Sequence, residues 1–462
     1  MNRILLALLL VIQVFLLVPA HNVNAQDDTD EPFYIIQSGD SLSVIAIRFG
    51  ITVQELIEKN EIENPNAIAV GTKLIIPGLQ GVSGELVIQT VDLGENYETF
   101  TRRNRLPSDF LPRINRLTSP FEIFAGARVI LPKSDAETLP VPLAQVNDGS
   151  TLLDIAGAAN LNPWTILLDN RANDRTILAP GDLIYTSRTE SSSSIVLPGI
   201  IELKLDPVPP VQGRTLEVFV KAIHPLEITG QIGKYDINFF RADENEYVGL
   251  VGIYLREETG ITTITLEWTN PGGESYRLDQ PILIDSGYYG QDPPITVDPI
   301  TIQADVVEPE QALIEGITSK VTNERFWDGP FQYPVDEPCY NAYFGGSRLY
   351  NNTYAYYHTG VDFGVCTANN INIYAVAPGR VVFAGPLIVR GNAVLIDHGW
   401  GVYSGYWHQT QLYVSSGDFV STGQLIGLIG NTGRSTGPHL HLEIWVNGIQ
   451  VNPVDWLQRI YP

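Results

Sequence analysis

Three things are scarce in these 462 residues: basic side chains, cysteines and long apolar runs. Lys and Arg number 28 against 52 Asp and Glu, a net charge of 28 − 52 = −24, and they form no basic block. Holding phosphate requires clustered cations, so general binding of nucleic acid or anionic membranes is excluded. Charged residues make up only 17%, which excludes a coiled coil or a simple helical bundle. The one long apolar run, Ile4 to Val18, falls short of the ~20 residues that span a bilayer. Two catalytic signatures are also missing. There is no His-Glu-x-x-His helix and no Gly-x-Ser-x-Gly elbow, so neither a zincin nor a hydrolase of the elbow type is supported.

What is present points to several β-rich domains. Gly (41), Pro (31) and Tyr (21) are abundant, and 44% of residues are hydrophobic, enough for several cores. Arg3, the run Ile4–Val18 and the small residues Val23-Asn24-Ala25 read as a secretory signal at 1–25, with an uncleaved anchor as the competing reading. Its removal takes one Arg and no acid, leaving 27 − 52 = −25. In an exported chain the pair Cys339 and Cys366 is expected to form a disulfide.

The first half repeats with a period of 55. Gly39, Gly94 and Gly149 keep that spacing, as do Asn60, Asn115 and Asn170, and Gly71, Gly126 and Gly181. In the first copy Phe33–Ile36 reads as a strand, and Leu42, Ile45, Ala46 and Phe49 as one helical face. Thr52 with Glu55 is a capping box opening a second helix, and Gly71–Pro77 closes the unit as a strand. The predicted order is β-α-α-β at 33–78, 85–133 and 142–187. The first copy resembles the LysM domain in Gly39-Asp40-Ser41-Leu42, Ile45-Ala46, Asn60 and Gly71–Pro77. The resemblance implies binding of N-acetylglucosamine-containing glycan, above all peptidoglycan, with Gly39, Asp40, Ser41 and Asn60 as candidate glycan-binding residues. The later copies depart from it, Asp40 becoming Glu95 and Ser150.

A polar linker at 188–194 leads into alternating segments such as Thr215–Val220 and Ile261–Trp268, separated by turns such as Asn270-Pro271-Gly272-Gly273. These predict a β-sandwich over 195–290, of immunoglobulin-like type. The Pro-rich stretch 291–312 reads as another linker.

Chemistry concentrates at the C-terminus. Of seven histidines, five (His358, His398, His408, His439 and His441) lie between 358 and 441. On a strand His439 and His441 share a face, roughly 6.5 Å apart. His358 and Asp362 would stand roughly 13 Å apart if extended, too far to share an ion bound at ~2.1 Å. Gly360 lets the chain bend so that they meet. Two imidazoles and one carboxylate leave a tetrahedral Zn²⁺ with an open position, the pattern of a catalytic site, and nitrogen donors favour zinc over calcium or magnesium.

Residues 340–456 resemble the lysostaphin-type zinc endopeptidases. The matching segments are His358-Thr359-Gly360-Val361-Asp362, Asp397-His398-Gly399, Tyr406-Trp407-His408 and Gly433 to Glu443. The resemblance implies an antiparallel β groove that hydrolyses peptidoglycan peptide bonds, with one Zn²⁺ per chain on His358, Asp362 and His441. It implies His408 and His439 as the catalytic imidazoles and gives His398 no such role. Gln409 stands where many relatives have Leu, which bears on substrate preference. A non-catalytic activator of other wall hydrolases is the alternative, but such relatives usually lack ligands, and all five positions are present here. The expected protein is thus multidomain and mainly β, monomeric, and placed in the cell wall or periplasm. Three LysM-like units and a sandwich precede a peptidase domain at 320–462.

Overall fold

The computed structural model describes residues 31–65, 68–107, 109–134, 140–147, 149–172, 179, 181–187, 197–367 and 371–462. The expected signal at 1–25 and the polar linker at 188–194 lie outside the described residues. Among them, no helix is long and apolar enough to cross a membrane. Packing divides the chain into two compact units, Met1–Gln89 with Ile130–Asp135, and Thr90–Val129 with Ala136–Pro462.

Each repeat has the β-α-α-β order. In the first, strand Phe33–Ile35 pairs antiparallel with Lys73–Ile75 around helices Leu42–Phe49 and Val53–Asn60. Ser41 caps the first helix and the Thr52–Glu55 capping box opens the second. The recurring asparagine has a physical reason. Asn60 donates to the Leu56 and Ile75 carbonyls and accepts from the Ile75 N–H at 2.7–2.9 Å, tying the second helix to the closing strand. Asn170 does the same with Ile166 and Tyr185 at 2.8 Å.

The second repeat differs from the first at the loop that opens it. Glu95 is 1% exposed. It meets Arg103 Nε at 3.1 Å and accepts from the Tyr185 hydroxyl of the third repeat at 3.0 Å. The Gly94 N–H is held by the Gln280 side chain of the sandwich.

Two four-stranded antiparallel sheets form the sandwich. One orders Tyr235–Ile237, Glu227–Ile232, Gly260–Thr269 and Ser275–Ile284, the other Phe239–Asp243, Glu246–Gly252, Thr215–Ala222 and Ile200–Asp206. Alternating residues such as Leu216, Val218, Val220, Ile264, Leu266 and Trp268 fill the core between them.

The linker expected at 291–312 is corrected. Pro299–Ile302 forms a 3₁₀ turn, and Ala304–Thr318 is a 15-residue helix with Pro309 inside it. Proline removes one helix hydrogen bond, but burial of Glu310, Ile314 and Thr318 along one face outweighs that loss.

The C-terminal domain is built on a long antiparallel sheet. Its order runs Tyr340–Ala342, Val361–Gly364, His439–Val446, Val402–Gln409, Gly391–Gly399, Gly379–Leu387 and Phe419–Val420. The central strand His439–Val446 sorts its side chains by alternation. Leu440, Leu442, Ile444 and Val446 enter the main core, leaving His439, His441, Glu443 and Trp445 on the other face. Residues 340–357 supply the edge strand and a hairpin of Ser347–Tyr350 with Tyr354–Tyr357. Cys339 and Cys366 form a disulfide with Cα atoms 6.3 Å apart.

Candidate metal centre and its cleft

Asp362 and His441 are register partners on adjacent strands, so their side chains stand side by side. His358 arrives from the end of the hairpin. Its Nε2 lies 2.9 Å from Asp362 Oδ1 and 2.9 Å from His441 Nδ1, and His441 Nδ1 lies 2.8 Å from Asp362 Oδ1. The chain bends at Gly360 as expected, and the glycine also permits close packing: a Cβ there would stand 2.1 Å from the Leu442 carbonyl oxygen and 2.7 Å from His441 Nε2.

The outer nitrogens fix which atoms face inward. His358 Nδ1–H donates to the Tyr343 carbonyl at 2.7 Å, and His441 Nε2–H donates to the Glu443 carboxylate at 3.0 Å. With those protons placed outward, each inward nitrogen is able to present a lone pair, and the two converge with a carboxylate oxygen. Three such donors at under 3 Å repel one another unless a cation lies between them. The donor set fits a divalent metal of the zinc type, and the three are the group of possible metal-holding residues found among the described residues.

Burial opposes ionisation of Asp362, but His358 and His441 outweigh it and hold the carboxyl well below its ordinary range. Burial lowers His358. It also works against charge on His441, yet hydrogen bonds to Asp362 and Glu443 raise that imidazole overall. Burial likewise opposes charge on Glu443, but its bond to His441 helps bring it down to about 2. Arg348 Nη2 reaches the second Asp362 oxygen at 3.2 Å.

His408 and His439 sit beside these donors, their ring centroids 4.9 Å apart, with His408 6.0 Å from His441. His408 Nδ1–H donates to the Thr432 carbonyl at 2.7 Å and His439 Nδ1–H to the Gly437 carbonyl at 2.8 Å. His439 Nε2 lies 3.6 Å from Asp362 Oδ1. Burial, then the neighbouring His439 and His441, push His408 well below the usual imidazole range. Strict alternation would not bring His408 here. Trp407 pairs with His441, so the next residue should face the opposite core. A bulge at Trp407-His408 opposite Ala393, with His408 at φ 64, turns the ring back toward the cleft.

The five residues line one cavity of about 650 Å³. Its walls include Tyr350, Tyr354 and Tyr356 of the hairpin and Gln311 and Glu315 of helix Ala304–Thr318. His398 lies apart in the core, with Nδ1–H on the Pro378 carbonyl and Nε2 on the Ser404 hydroxyl, both at 2.7 Å. The candidate glycan residues are engaged inside the first repeat. Asp40 accepts from Tyr34, Gln37 and Arg48, Ser41 caps a helix, Asn60 braces the fold, and Gly39 turns at φ 88. Sequence reasoning missed Glu443 and Arg348. Glu443 was within reach, since i+2 from His441 shares its face; Arg348 depends on a long-range pairing that has no local signal.

Residues 356–453 match the model of peptidase family M23, and residues 34–77 match that of the LysM domain. The chain thus has a segment similar to M23 peptidase domains behind one similar to LysM domains. Over 97 residues it is 43% identical to the DD-carboxypeptidase/endopeptidase Mpg of Neisseria meningitidis serogroup B, covering 21% of this chain and 22% of that protein. Over 123 residues it is 40% identical to the peptidoglycan DD-endopeptidase ShyA of Vibrio cholerae serotype O1, covering 26% of this chain and 28% of that protein. The match thus spans less than a third of either relative's length. Among solved structures, the catalytic domain of the antimicrobial peptidase lysostaphin from Staphylococcus simulans aligns with 26% of this chain and 93% of its own, at 30% identity and a TM-score of 0.23. The M23 domain matched here contains all five residues of the centre.

Proposed function

We propose that the protein is an exported peptidoglycan endopeptidase that works with one zinc ion and is held on the wall by its first repeat. The observation that carries this reading is the convergence of three possible metal-donor side chains beside two imidazoles in one cleft. The naming of its relatives as DD-endopeptidases supports the same chemistry.

His358, Asp362 and His441 would hold the metal, which when bound polarises a carbonyl and acidifies water. His408 and His439 are the proton carriers. Each commits Nδ1–H to a main-chain carbonyl, so Nε2 is the nitrogen free to accept a proton and pass it to a leaving amine. Burial keeps His408 neutral in the resting site. Glu443 locks the tautomer of His441, and the cleft walls align an extended peptide. In the first repeat, Gly39, Asp40 and Ser41 shape the loop assigned to glycan, and Asn60 braces the second helix against the closing strand. Tethering raises the local concentration of substrate without adding contacts at the cleft.

The test is digestion of purified sacculi by the full chain, with mass spectrometry of the released termini and quantification of zinc. About one zinc per chain with new peptide termini is expected. Intact sacculi in the presence of stoichiometric zinc would remove the enzymatic reading.

A further inference from the structure

The segment 291–318 lies before the region of family resemblance, yet two of its acids reach residues beside the centre. We propose that Asp292 and Glu310 are positioning residues, Asp292 for the metal donors and Glu310 for His408; this rests on the function proposed above.

Asp292 Oδ2 accepts from Arg348 Nε at 2.8 Å, and Arg348 Nη2 donates to Asp362 Oδ2 at 3.2 Å. The guanidinium is buried and shared between two carboxylates. With Asp292 in place, Arg348 orients Asp362 without its full charge falling on that one group. Without Asp292, the buried cation would be balanced by Asp362 alone, which would draw the carboxylate away from its work as a donor.

Glu310 acts on the other side of the cleft. Its carboxylate accepts the Val389 N–H at 2.8 Å, the Arg390 N–H at 3.0 Å and Arg390 Nη1 at 3.1 Å. Gln311 takes Arg390 Nη2 at 2.7 Å. The carbonyl of the same Arg390 accepts the His408 N–H at 2.9 Å. That bond holds His408 at its left-handed φ, a conformation that persists in a non-glycine residue only where the surroundings over-determine it.

The segment is stitched in place along its length. Gln291 and Ile295 bridge to Ser347 and Tyr350, Val297 N–H donates to Asn351 at 2.8 Å, and Ile314 packs with Trp407 and Trp445. It is a fixed part of the site.

The experiment uses the full chain with Asp292→Asn and Glu310→Gln. Zinc affinity is read by chelator competition, and kcat and KM on soluble cross-linked muropeptides. Asp292→Asn is expected to weaken zinc roughly tenfold with an unchanged melting curve, and Glu310→Gln to lower kcat roughly tenfold with KM and zinc affinity near wild type. Should Glu310→Gln fail to fold, Arg390→Lys carries the same kcat test, because it keeps the main-chain carbonyl but loses the fork. Unchanged zinc affinity in the first variant, or unchanged kcat in the second, overturns that arm. A wild-type chain that binds zinc but cuts no muropeptide removes the function and the Glu310 arm with it, while the Asp292 arm is still judged by affinity.

Discussion

One sheet holds two kinds of histidine. His398 and the cleft histidines are all largely buried, and each donates one ring N–H to a main-chain carbonyl or a carboxylate. They part at the second nitrogen. That of His398 meets a neutral hydroxyl in a packed core beside Phe331, whereas those of His358 and His441 meet each other and a carboxylate. Burial therefore makes His398 inert, lowering it to about 4, while the same burial around Asp362 builds a site for a cation. What faces the lone pair decides the role of the ring.

The strongest way to break this contrast is His439→Ala. Wall lysis should fall by roughly 10²–10⁴-fold with zinc content unchanged; undiminished lysis would make His439 as idle as His398. Next is Glu443→Gln, which removes the carboxylate behind His441 and should weaken zinc by roughly 10–100-fold in a chelator competition.

His398 itself sharpens the contrast through acid stability. Its folded pKa lies below the unfolded value, so the unfolded chain binds the extra proton as pH falls. Stability is then fully present above about 6.5 and is lost progressively down to about 4, by on the order of 3 kcal/mol. Denaturant unfolding across that window should show the slope, and His398→Gln should flatten it while leaving neutral-pH cleavage intact. The smallest effect lies outside the sheet. Asp40→Ala should reduce retention on sacculi in a pull-down yet spare cleavage of soluble muropeptides; equal loss of both would tie the repeat to the cleft.

Much of this was legible because it is local. The period of 55 marked the repeats, and the i, i+2 pair His439 and His441 marked the face of a strand. The rest depends on distant partners. The first part of helix Ala304–Thr318 falls in the stretch 291–312 expected as linker, because the prolines of that stretch outweigh, on paper, a buried face whose neighbours come from elsewhere in the chain. The aim of His408 needed a bulge, which no count of alternating residues reveals. Glu95 stands in the second repeat where the first has Asp40, but only packing against Tyr185 and Arg103 shows that this loop has become a joint.

The bond between Cys339 and Cys366 closes a ring with a sequence separation of 27, and both His358 and Asp362 lie within it. Opening that ring in a reducing compartment would return about 3.5 kcal/mol of chain entropy to the unfolded state, by the loop-closure estimate. His358 and Asp362 keep their bonds to Tyr343 and Arg348, but the segment that carries them would start from a freer unfolded chain, so the site assembles at lower cost where thiols are oxidised.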